Sequence, residues 1–462
     1  MRKYSILISV VCSLLFCSCD NFLDIQPKGI VIPQNYEDYE KLINYAQIMK
    51  SSDFYPNFMT DDVQLPDGLD ISEEAFVDLF QKNLFTFQSD IFGDAETDNI
   101  WEYGYNRIYY YNVIIEDVMT VADASLADKR ALRAEAQVGR AFEFLILVNA
   151  YGNHYDKNTA TTDPGVPLIL DKQINNTGLT RATVQQVYDR IKEDLDTAAL
   201  YLPDKPVKTT YRASKPVGLG MLARMYLCMG DYNKARSYAE QSLAVNSTLL
   251  DIKQFSIVDP DKSIGRSDYP SDAKDNPENI YIRLCPTIFA ASGSVFGSDE
   301  FVALFSDDDM RKELFLTKYL YGTTYPCYVW APYTRTNMAM SVPEMFLIAA
   351  ECEARIGSKD KAMEYINTLM DKRIRNFTPQ AAATNDEALV KVLQERRREL
   401  ALLGCTRLID LKRLNREPRF AKTITHTTEG QTYTLEPNSP KYILPIPPKV
   451  LSFNPGMQPN NR

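Results

Sequence analysis

The chain contains few of the residues on which catalysis and metal binding most often depend. It has two histidines among 462 residues, and neither lies in a recognisable catalytic-triad context. Its eight cysteines include no C-x-x-C pair, so neither a zinc site nor a disulfide framework is predicted. The sequence also lacks G-x-S-x-G, G-x-G-x-x-G, H-E-x-x-H and P-loop motifs. No metal, cofactor or catalytic residue is therefore expected.

Two further absences restrict the partners of the chain. The formal net charge is −10, so the excess of positive charge that binds nucleic acid is missing. Beyond the first 17 residues, no segment is apolar enough to cross a membrane. Hydrophobic residues nevertheless make up 45% of the chain and aromatic residues 11%, which is ample for a large core. We therefore expect a globular fold with no nucleic-acid partner.

The sequence has one long apolar segment, and it lies near the first residue. Two basic residues at positions 2–3 precede an uncharged apolar stretch over 6–17, which is too short to span a bilayer. This pattern is typical of a secretory signal peptide, and a small residue before Cys19 is typical of a lipoprotein cleavage site. We predict a signal peptide over 1–18 and acylation of Cys19, followed by a polar tether over 19–33. Secretion without a lipid is the alternative.

Helical periodicity dominates the rest of the chain. Apolar residues recur at helical spacing around Trp101 and around Phe142, and the tyrosines at 109–111 are expected mostly in the core. Further amphipathic helices are predicted over 182–202, 214–229, 231–246, 342–357, 359–376 and 387–404. The predicted fold class is mainly α with few short strands.

Two pairs of these helices are copies of one unit. Both contain the spacing Ala-x6-Gly-x4-Ala, at 223–235 and at 350–362. Small residues let two antiparallel helices cross closely, as in tetratricopeptide repeats, but the terminal proline of that repeat is missing from both copies. An irregular insertion over 247–341 separates them. The pattern therefore predicts degenerate helical repeats that support long loops, where ligand-binding residues usually lie.

The insertion ends in an aromatic segment that is the best candidate for ligand binding. Aromatic rings cover the flat C–H faces of sugars while polar groups bind the hydroxyls. The alternation around Gly322 predicts a β-hairpin with its rings on one face. Cross-strand packing in the core is the alternative. The predicted ligand-binding residues are Tyr319, Tyr321, Tyr325, Tyr328, Trp330 and Tyr333, with Arg335 and Asn337 as hydrogen-bonding partners.

A second candidate is a loop near the start of the mature chain. It contains Tyr55, Phe58, Asp61, Asp62 and Gln64, whose carboxylates and amides could accept protons from sugar hydroxyls. An ordinary capped loop is the favoured alternative.

Two acidic clusters are interpreted as structural. Glu395 and Glu399 share a helix face and could in principle act as an acid–base pair. With three arginines between them, they are better explained by an ion-pair network that ties this helix to Asp410 and Lys412. The three aspartates at 307–309 are expected to cap a helix that begins near residue 311, rather than to bind calcium.

An ordered set of short motifs resembles the SusD/RagB family of Bacteroidota surface lipoproteins along the whole chain. The matching segments are CDNFLDIQP at 19–27, RAEA at 133–136, RAF at 140–142, YG at 151–152, GVPL at 165–168, the helix over 344–357, ERRREL at 395–400, DLKR at 410–413, LPIP at 444–447 and NP at 454–455. The resemblance implies a helical protein with four tetratricopeptide-like units. It also implies that the protein lies on the extracellular mouth of a SusC-like, TonB-dependent barrel.

The resemblance further implies a function without catalysis. Members bind oligosaccharides, or peptides in the RagB branch, and pass them to the transporter. We therefore expect one globular unit over 34–462, with an N-terminal region over about 34–215 and a C-terminal RagB/SusD region over about 270–462. It is expected on the extracellular face of the outer membrane, bound to a glycan. The alternatives are a peptide-binding lipoprotein, a surface glycosidase and a bare helical-repeat scaffold for protein partners.

Overall fold

The computed structural model describes residues 33–51, 54–67, 78–93, 96, 98–173, 177–262, 265–285, 295–320, 322–331 and 337–462. Within these ranges helices dominate and the strands are few and short, which confirms the predicted fold class. None of the described helices is both long enough and apolar enough to span a membrane. The predicted signal peptide, Cys19 and all of the tether except Pro33 lie outside the described residues.

The described helices and strands are numbered here in chain order. The helices are α1 Tyr36–Ile43, α2 Leu79–Phe85, α3 Asn99–Asp117, α4 Leu126–Tyr151, α5 Val184–Ala199, α6 Lys215–Met229, α7 Tyr232–Val245, α8 Asp299–Val302, α9 Met310–Phe315, α10 Val342–Ile356, α11 Lys359–Asp371, α12 Asn385–Glu399, α13 Thr406–Leu414 and α14 Pro448–Phe453. The strands are β1 Val63–Gln64, β2 Asn279–Tyr281, β3 Phe296–Gly297, β4 Leu316–Leu320, β5 Thr323–Trp330, β6 Met340–Ser341, β7 Ile424–Thr428 and β8 Gln431–Leu435.

Side-chain caps begin most of the long helices. The Ser125 hydroxyl accepts the N–H of Asp128 at the start of α4, and Thr183 with Gln186 forms a reciprocal capping box at the start of α5. The helices predicted over 359–376 and 387–404 end earlier, at Asp371 and Glu399. In the second case the chain turns at Leu402, which adopts a positive φ of 57°.

Most of the long helices pack against the next helix in the chain, and α10 also packs against more distant ones. Helix α4 packs against α3 and α5, α6 packs against α7, and α10 packs against α7, α11 and α12. The four alanines of the repeated spacing, at 223, 235, 350 and 362, are fully buried. Their small side chains allow the close helix crossings that the sequence predicts. One large apolar cluster runs from Phe54 to Met457 and joins the N-terminal helices to the C-terminal segments.

The two glycines at matched repeat positions have different roles. Gly230 ends α6 in the left-handed conformation, with φ 72° and open space around the position of a Cβ. Gly357 has φ −127°, and a Cβ there would lie 1.9 Å from a carboxylate oxygen of Glu353. That carboxylate pairs with Arg236 at 3.2 Å. The ion pair therefore occupies the space that a Cβ at residue 357 would need, and its side chains would have to shift to admit one.

The irregular insertion contains several short strands. Strands β1, β3, β5 and β4 form an antiparallel sheet in that order, and β4 with β5 forms the hairpin that the aromatic alternation predicts. Gly322 turns the hairpin with φ 75°, a conformation that favours glycine. The hairpin lies next to α9, whose Phe315 lines the candidate site together with Trp330.

Candidate ligand-binding site

The β4–β5 hairpin has one buried face and one partly open face. Tyr325 and Val329 alternate with Tyr328 and Trp330 along β5, so the two pairs project to opposite sides. The register pairs Leu316 with Trp330, and it pairs Tyr319 with Thr324. Tyr319, Tyr328 and Trp330 therefore share one face, as the sequence predicts for these three rings.

Rings on the open face are partly packed and partly accessible. Trp330 contacts Phe315, with 5.7 Å between ring centroids, and the Lys318 ammonium lies 5.2 Å from the centre of the Tyr328 ring. Trp330 and Tyr328 also pack at the edge of a small apolar cluster that contains Phe301. Tyr319 is 42% exposed near the turn. The structure therefore shows core packing for part of this face and leaves part of the Tyr319 ring accessible.

Trp330 lines a cavity of ≈ 140 Å³, called here the Trp330 cavity. Tyr269 and Phe315 give it two more aromatic side chains, and Arg224 and Glu344 lie on its polar side. The Arg224 guanidinium donates to both carboxylate oxygens of Glu344, at 2.7 and 2.5 Å, and to the backbone carbonyl of Ala339. The cavity is therefore lined both by aromatic rings and by the Arg224–Glu344 pair, whose charges offset each other.

Other charges that line the cavity are also neutralised by one another. Arg373 binds Glu278 and Glu399, each at 2.7 Å, and Arg311 binds Glu399 at 2.7 Å. Burial raises the pKa of Glu278. Burial would also raise the pKa of Glu399, but Arg373 and Arg311 outweigh it and lower that pKa. The cavity therefore presents mixed, compensated charges, which suits a neutral polar ligand better than an ionic one.

Two residues predicted to bind ligand have side chains that are engaged in contacts within the protein. Tyr325 faces inward and packs against Phe296, because every second residue of β5 projects toward the core. The Asn337 amide donates to Asn279 at 2.9 Å and to the Tyr281 carbonyl at 3.1 Å. Its carbonyl oxygen accepts two backbone N–H groups. Asn337 borders the cavity but has little hydrogen-bonding capacity left for a ligand. Tyr321, Tyr333 and Arg335 lie outside the described residues.

The second predicted site is buried and structural, which corrects its assignment as a candidate ligand site. The Tyr55 hydroxyl donates to the Asp98 carboxylate, and Tyr55 is 1% exposed. Asp61 binds Arg407 and Lys422, each at 2.8 Å. Burial would raise the pKa of Asp61, but Arg407 and neighbouring cations lower it well below its usual range. Asp62 binds Arg397 at 2.6 Å. These groups fasten the loop to the C-terminal part of the chain.

The structural interpretation of the acidic clusters is confirmed. Glu395 binds Arg311 and Arg398, each at 2.7 Å, and Arg396 binds Asp410 at 2.8 Å. The prediction for Lys412 is wrong, since its ammonium donates instead to the backbone carbonyls at 149 and 152. Asp309 accepts the N–H of Arg311 and caps α9, as predicted for this cluster.

Sequence reasoning missed several residues that line the Trp330 cavity. Tyr269, Phe315 and Arg224 lie 61, 15 and 106 positions before Trp330 in the chain and share no periodic pattern with it. Tyr269 and Phe315 belong to the insertion that the sequence marks as irregular. Only the tertiary packing of α6, α9 and the hairpin brings these residues together.

The fold and this cavity define a helical-repeat protein whose candidate ligand site lies in an insertion. Comparison with known families gives a more specific answer. A family model described as "Starch-binding associating with outer membrane" matches residues 21–227, and the SusD family model matches residues 331–462. Together the two matches span most of the chain. This chain belongs to the SusD/RagB family.

Individual relatives agree with this membership. A SusD-like protein of Formosa agariphila is 21% identical, with 98% of each chain covered. A SusD superfamily protein of Bacteroides thetaiotaomicron has the same fold with a TM-score of 0.71 at 18% identity, covering 93% of this chain and all of that one. A protein of Bacteroides vulgatus described as SusD-like and carbohydrate-binding gives a TM-score of 0.65 at 21% identity, covering 92% of this chain and 98% of that one.

Proposed function

We propose that this chain is a cell-surface lipoprotein that captures glycans and delivers them to a SusC-like, TonB-dependent transporter of the outer membrane. Its family supports the proposal, since the matching family model is described by starch binding and association with the outer membrane. A structural relative is described as a carbohydrate-binding protein. The observation that carries the proposal for this chain is the aromatic wall of the Trp330 cavity.

The cavity offers the two kinds of contact that a sugar needs. Trp330, Phe315 and Tyr269 provide ring surface for apolar C–H faces. The same cavity is lined by paired polar side chains and by Ala339, whose polar groups could bind hydroxyl groups. Since the charges there are already paired, the expected ligand is an uncharged oligosaccharide or polysaccharide.

The same geometry argues for binding without hydrolysis. A glycosidase requires two carboxyl groups that are free to act on the glycosidic bond. Glu395 and Glu399 are both held by Arg311, which keeps their oxygens in hydrogen bonds with a guanidinium. We therefore assign no catalytic role to Glu395 or Glu399.

The anchor completes the proposal. Acylation at Cys19 would hold the chain at the outer leaflet through residues 19–33, with the unit over 34–462 exposed outside the cell. An acyl chain contributes about 0.8 kcal/mol for each buried methylene, so two or three chains anchor stably. Labelling cells with a fatty-acid probe and comparing wild type with Cys19→Ser tests this step. A labelled and membrane-retained Cys19→Ser chain would refute it.

The function is tested by removing the ring at the centre of the cavity. Trp330→Ala is expected to lower affinity for the cognate glycan in calorimetry by about tenfold, because a buried aromatic contact of this kind contributes at least 1 kcal/mol. Its melting temperature should change little. Tyr103→Ala, which removes a 42% exposed ring from α3, is the matched control.

Other outcomes of the same test are decisive. If Trp330→Ala lowers both the glycan affinity and the melting temperature markedly, the result would indicate that Trp330 is a core residue. Binding to peptides and to no glycan would establish the peptide-binding alternative. Release of reducing ends from a glycan would establish hydrolysis and overturn the proposal.

A further inference from the structure

We propose that the outer side of α3 carries a second glycan-binding site. It is called here the α3 groove and is formed by Tyr105, Tyr109 and Tyr110 of α3, Phe453 of α14 and the exposed amides of Asn106 and Gln173. This second site extends the proposed function, and it rests on that function because it assumes that the ligand is a glycan. Its volume is ≈ 400 Å³, larger than that of the Trp330 cavity.

The floor of the groove follows from the spacing of α3. Tyr105 and Tyr109 are four residues apart, so their rings lie on one face of the helix about 6 Å apart along its axis. The sequence predicts the tyrosines at 109–111 to be mostly core, and Tyr111 is indeed fully buried. Tyr109 and Tyr110 are only half-buried, and both line the groove.

Hydrogen bonds fix both walls of the groove to the scaffold. On one side the Asn112 amide donates to the carbonyls of Ile169 and Asp171, at 3.0 and 2.8 Å, and the Tyr105 hydroxyl donates to the Pro167 carbonyl at 2.9 Å. On the other side the N–H of Leu179 donates to the Asn454 side chain at 2.8 Å. The groove is therefore preformed, and a ligand would not have to order it.

The lining favours a neutral, hydroxyl-rich ligand. Phe453 is 55% exposed at the end of α14, a helix in which no residue is fully buried. An exposed ring beside half-buried tyrosines is a surface on which the face of a sugar could stack. Glu102 and Lys449 lie 3.8 Å apart and offset each other's charge. The amides of Asn106 and Gln173 are exposed and can both donate to and accept from hydroxyls.

This groove and the Trp330 cavity have no lining residue in common. The groove is lined by residues of α3 and α14 together with Ile169, Gln173 and Leu179, whereas the cavity is lined by residues of the insertion, of α6 and of the C-terminal part of the chain. Two separate sites on one chain raise the apparent affinity for a polymer that reaches both, without raising the affinity of either site for a short fragment. The predicted signature is therefore a difference between polymer and oligosaccharide binding.

Affinity electrophoresis in gels that contain soluble starch, xyloglucan or galactomannan tests the inference. The variants are Tyr109→Ala, Phe453→Ala, Trp330→Ala and the combination of Trp330→Ala with Phe453→Ala. Tyr103→Ala is the control, since it removes an exposed ring from the same helix outside the groove. Melting temperatures of all variants are compared with wild type.

For the polysaccharide that retards wild type most, each groove variant should weaken apparent binding about three- to tenfold at an unchanged melting temperature. The combined variant should lose retardation altogether. Groove variants that migrate like wild type, while Trp330→Ala loses all retardation, would overturn the second site and leave the proposed function intact. If none of the three polysaccharides retards wild type, the groove and the proposed glycan function both fail.

Discussion

Asp98 illustrates how a buried carboxylate positions a helix and a loop at once. It caps α3 by accepting the N–H groups of Ile100 and Trp101, at 3.0 and 3.3 Å. It also accepts hydroxyl protons from Tyr55 and, at 2.6 Å, from Tyr151. Burial raises the pKa of Asp98 to about 6, although the two hydroxyls oppose this shift. Tyr55 thus serves the scaffold rather than a ligand.

Removal of the Tyr55 hydroxyl tests this assignment. Tyr55→Phe keeps the ring and leaves the buried Asp98 carboxylate with one hydrogen bond fewer. The free energy of unfolding, measured in urea, should fall by about 1–3 kcal/mol. Glycan affinity should stay at the wild-type value. Weaker glycan binding at unchanged stability would instead return Tyr55 to the binding site.

The two histidines make the stability of the fold depend on pH in a range that differs from that of ordinary carboxylates. Burial, together with Lys412 and Arg413, lowers the pKa of His154 to about 3. In the described part of the chain its Nδ1 has no hydrogen-bond partner. In the unfolded chain this imidazole takes up a proton near pH 6.5, whereas in the folded chain it stays neutral. Its contribution to stability is therefore complete above pH 6.5 and is lost as the pH falls toward 3.

His154→Gln should remove this dependence. The unfolding free energy of the variant relative to wild type is expected to rise as the pH falls from 7 to 5, by at most about 1.4 kcal/mol per pH unit. Few ordinary carboxylates titrate in that window. His426→Gln provides a comparison, since burial also lowers the pKa of His426. A relative stability that does not change between pH 7 and 5 would contradict a His154 that stays neutral in the folded chain.

Single residues of the site were predictable only in part. Trp330 and Tyr328 could be found because a tryptophan and a tyrosine alternate in an irregular insertion. Tyr325 belongs to the same alternation, but the sequence does not reveal which phase of a strand faces the core. The sequence suggests Asn337 as a ligand residue, but in the structure its side chain makes five hydrogen bonds within the protein. Phe315 carries no sequence signal, because only packing brings it to Trp330.

At the scale of helices and strands, the sequence is far more informative. The helix pairs, the hairpin at Gly322 and the cap at Asp309 follow from local periodicity and local hydrogen bonding. The distinct roles of Gly230 and Gly357 do not follow, even though their sequence contexts match. The second depends on the ion pair between Glu353 and Arg236, which joins two helices distant in the chain.

The two glycines should respond differently to one substitution. Gly230→Ala places a Cβ at a positive φ in open space and should cost about 1 kcal/mol of stability. Gly357→Ala should cost more, about 2–4 kcal/mol, because its Cβ must displace the buried Glu353 carboxylate and weaken its pairing. Denaturant unfolding of both variants measures the difference. Equal losses would mean that Glu353 can move aside freely.

The whole molecule combines a continuous helical frame with partly aromatic surfaces at separate places. Ion pairs join segments far apart in sequence, such as Asp61 with Lys422, and so tie the two halves of the chain together. Fold and family membership could be predicted because the motifs that carry them are distributed along the entire chain. The extent of the Trp330 cavity and of the α3 groove could not, because each is assembled from elements that meet only after folding.

Binding of a glycan against Trp330 can be followed by the fluorescence of this side chain. The chain has two tryptophans, so Trp101→Phe leaves Trp330 as the single reporter of indole fluorescence. Titration of this variant with the glycan that calorimetry identifies should change the emission of Trp330 and saturate at the concentration that saturates binding. Trp101 also lines the α3 groove, so the reporter variant carries Phe453→Ala as well, which weakens binding there. Saturable glycan binding to this variant with no change in Trp330 emission would contradict the proposed function.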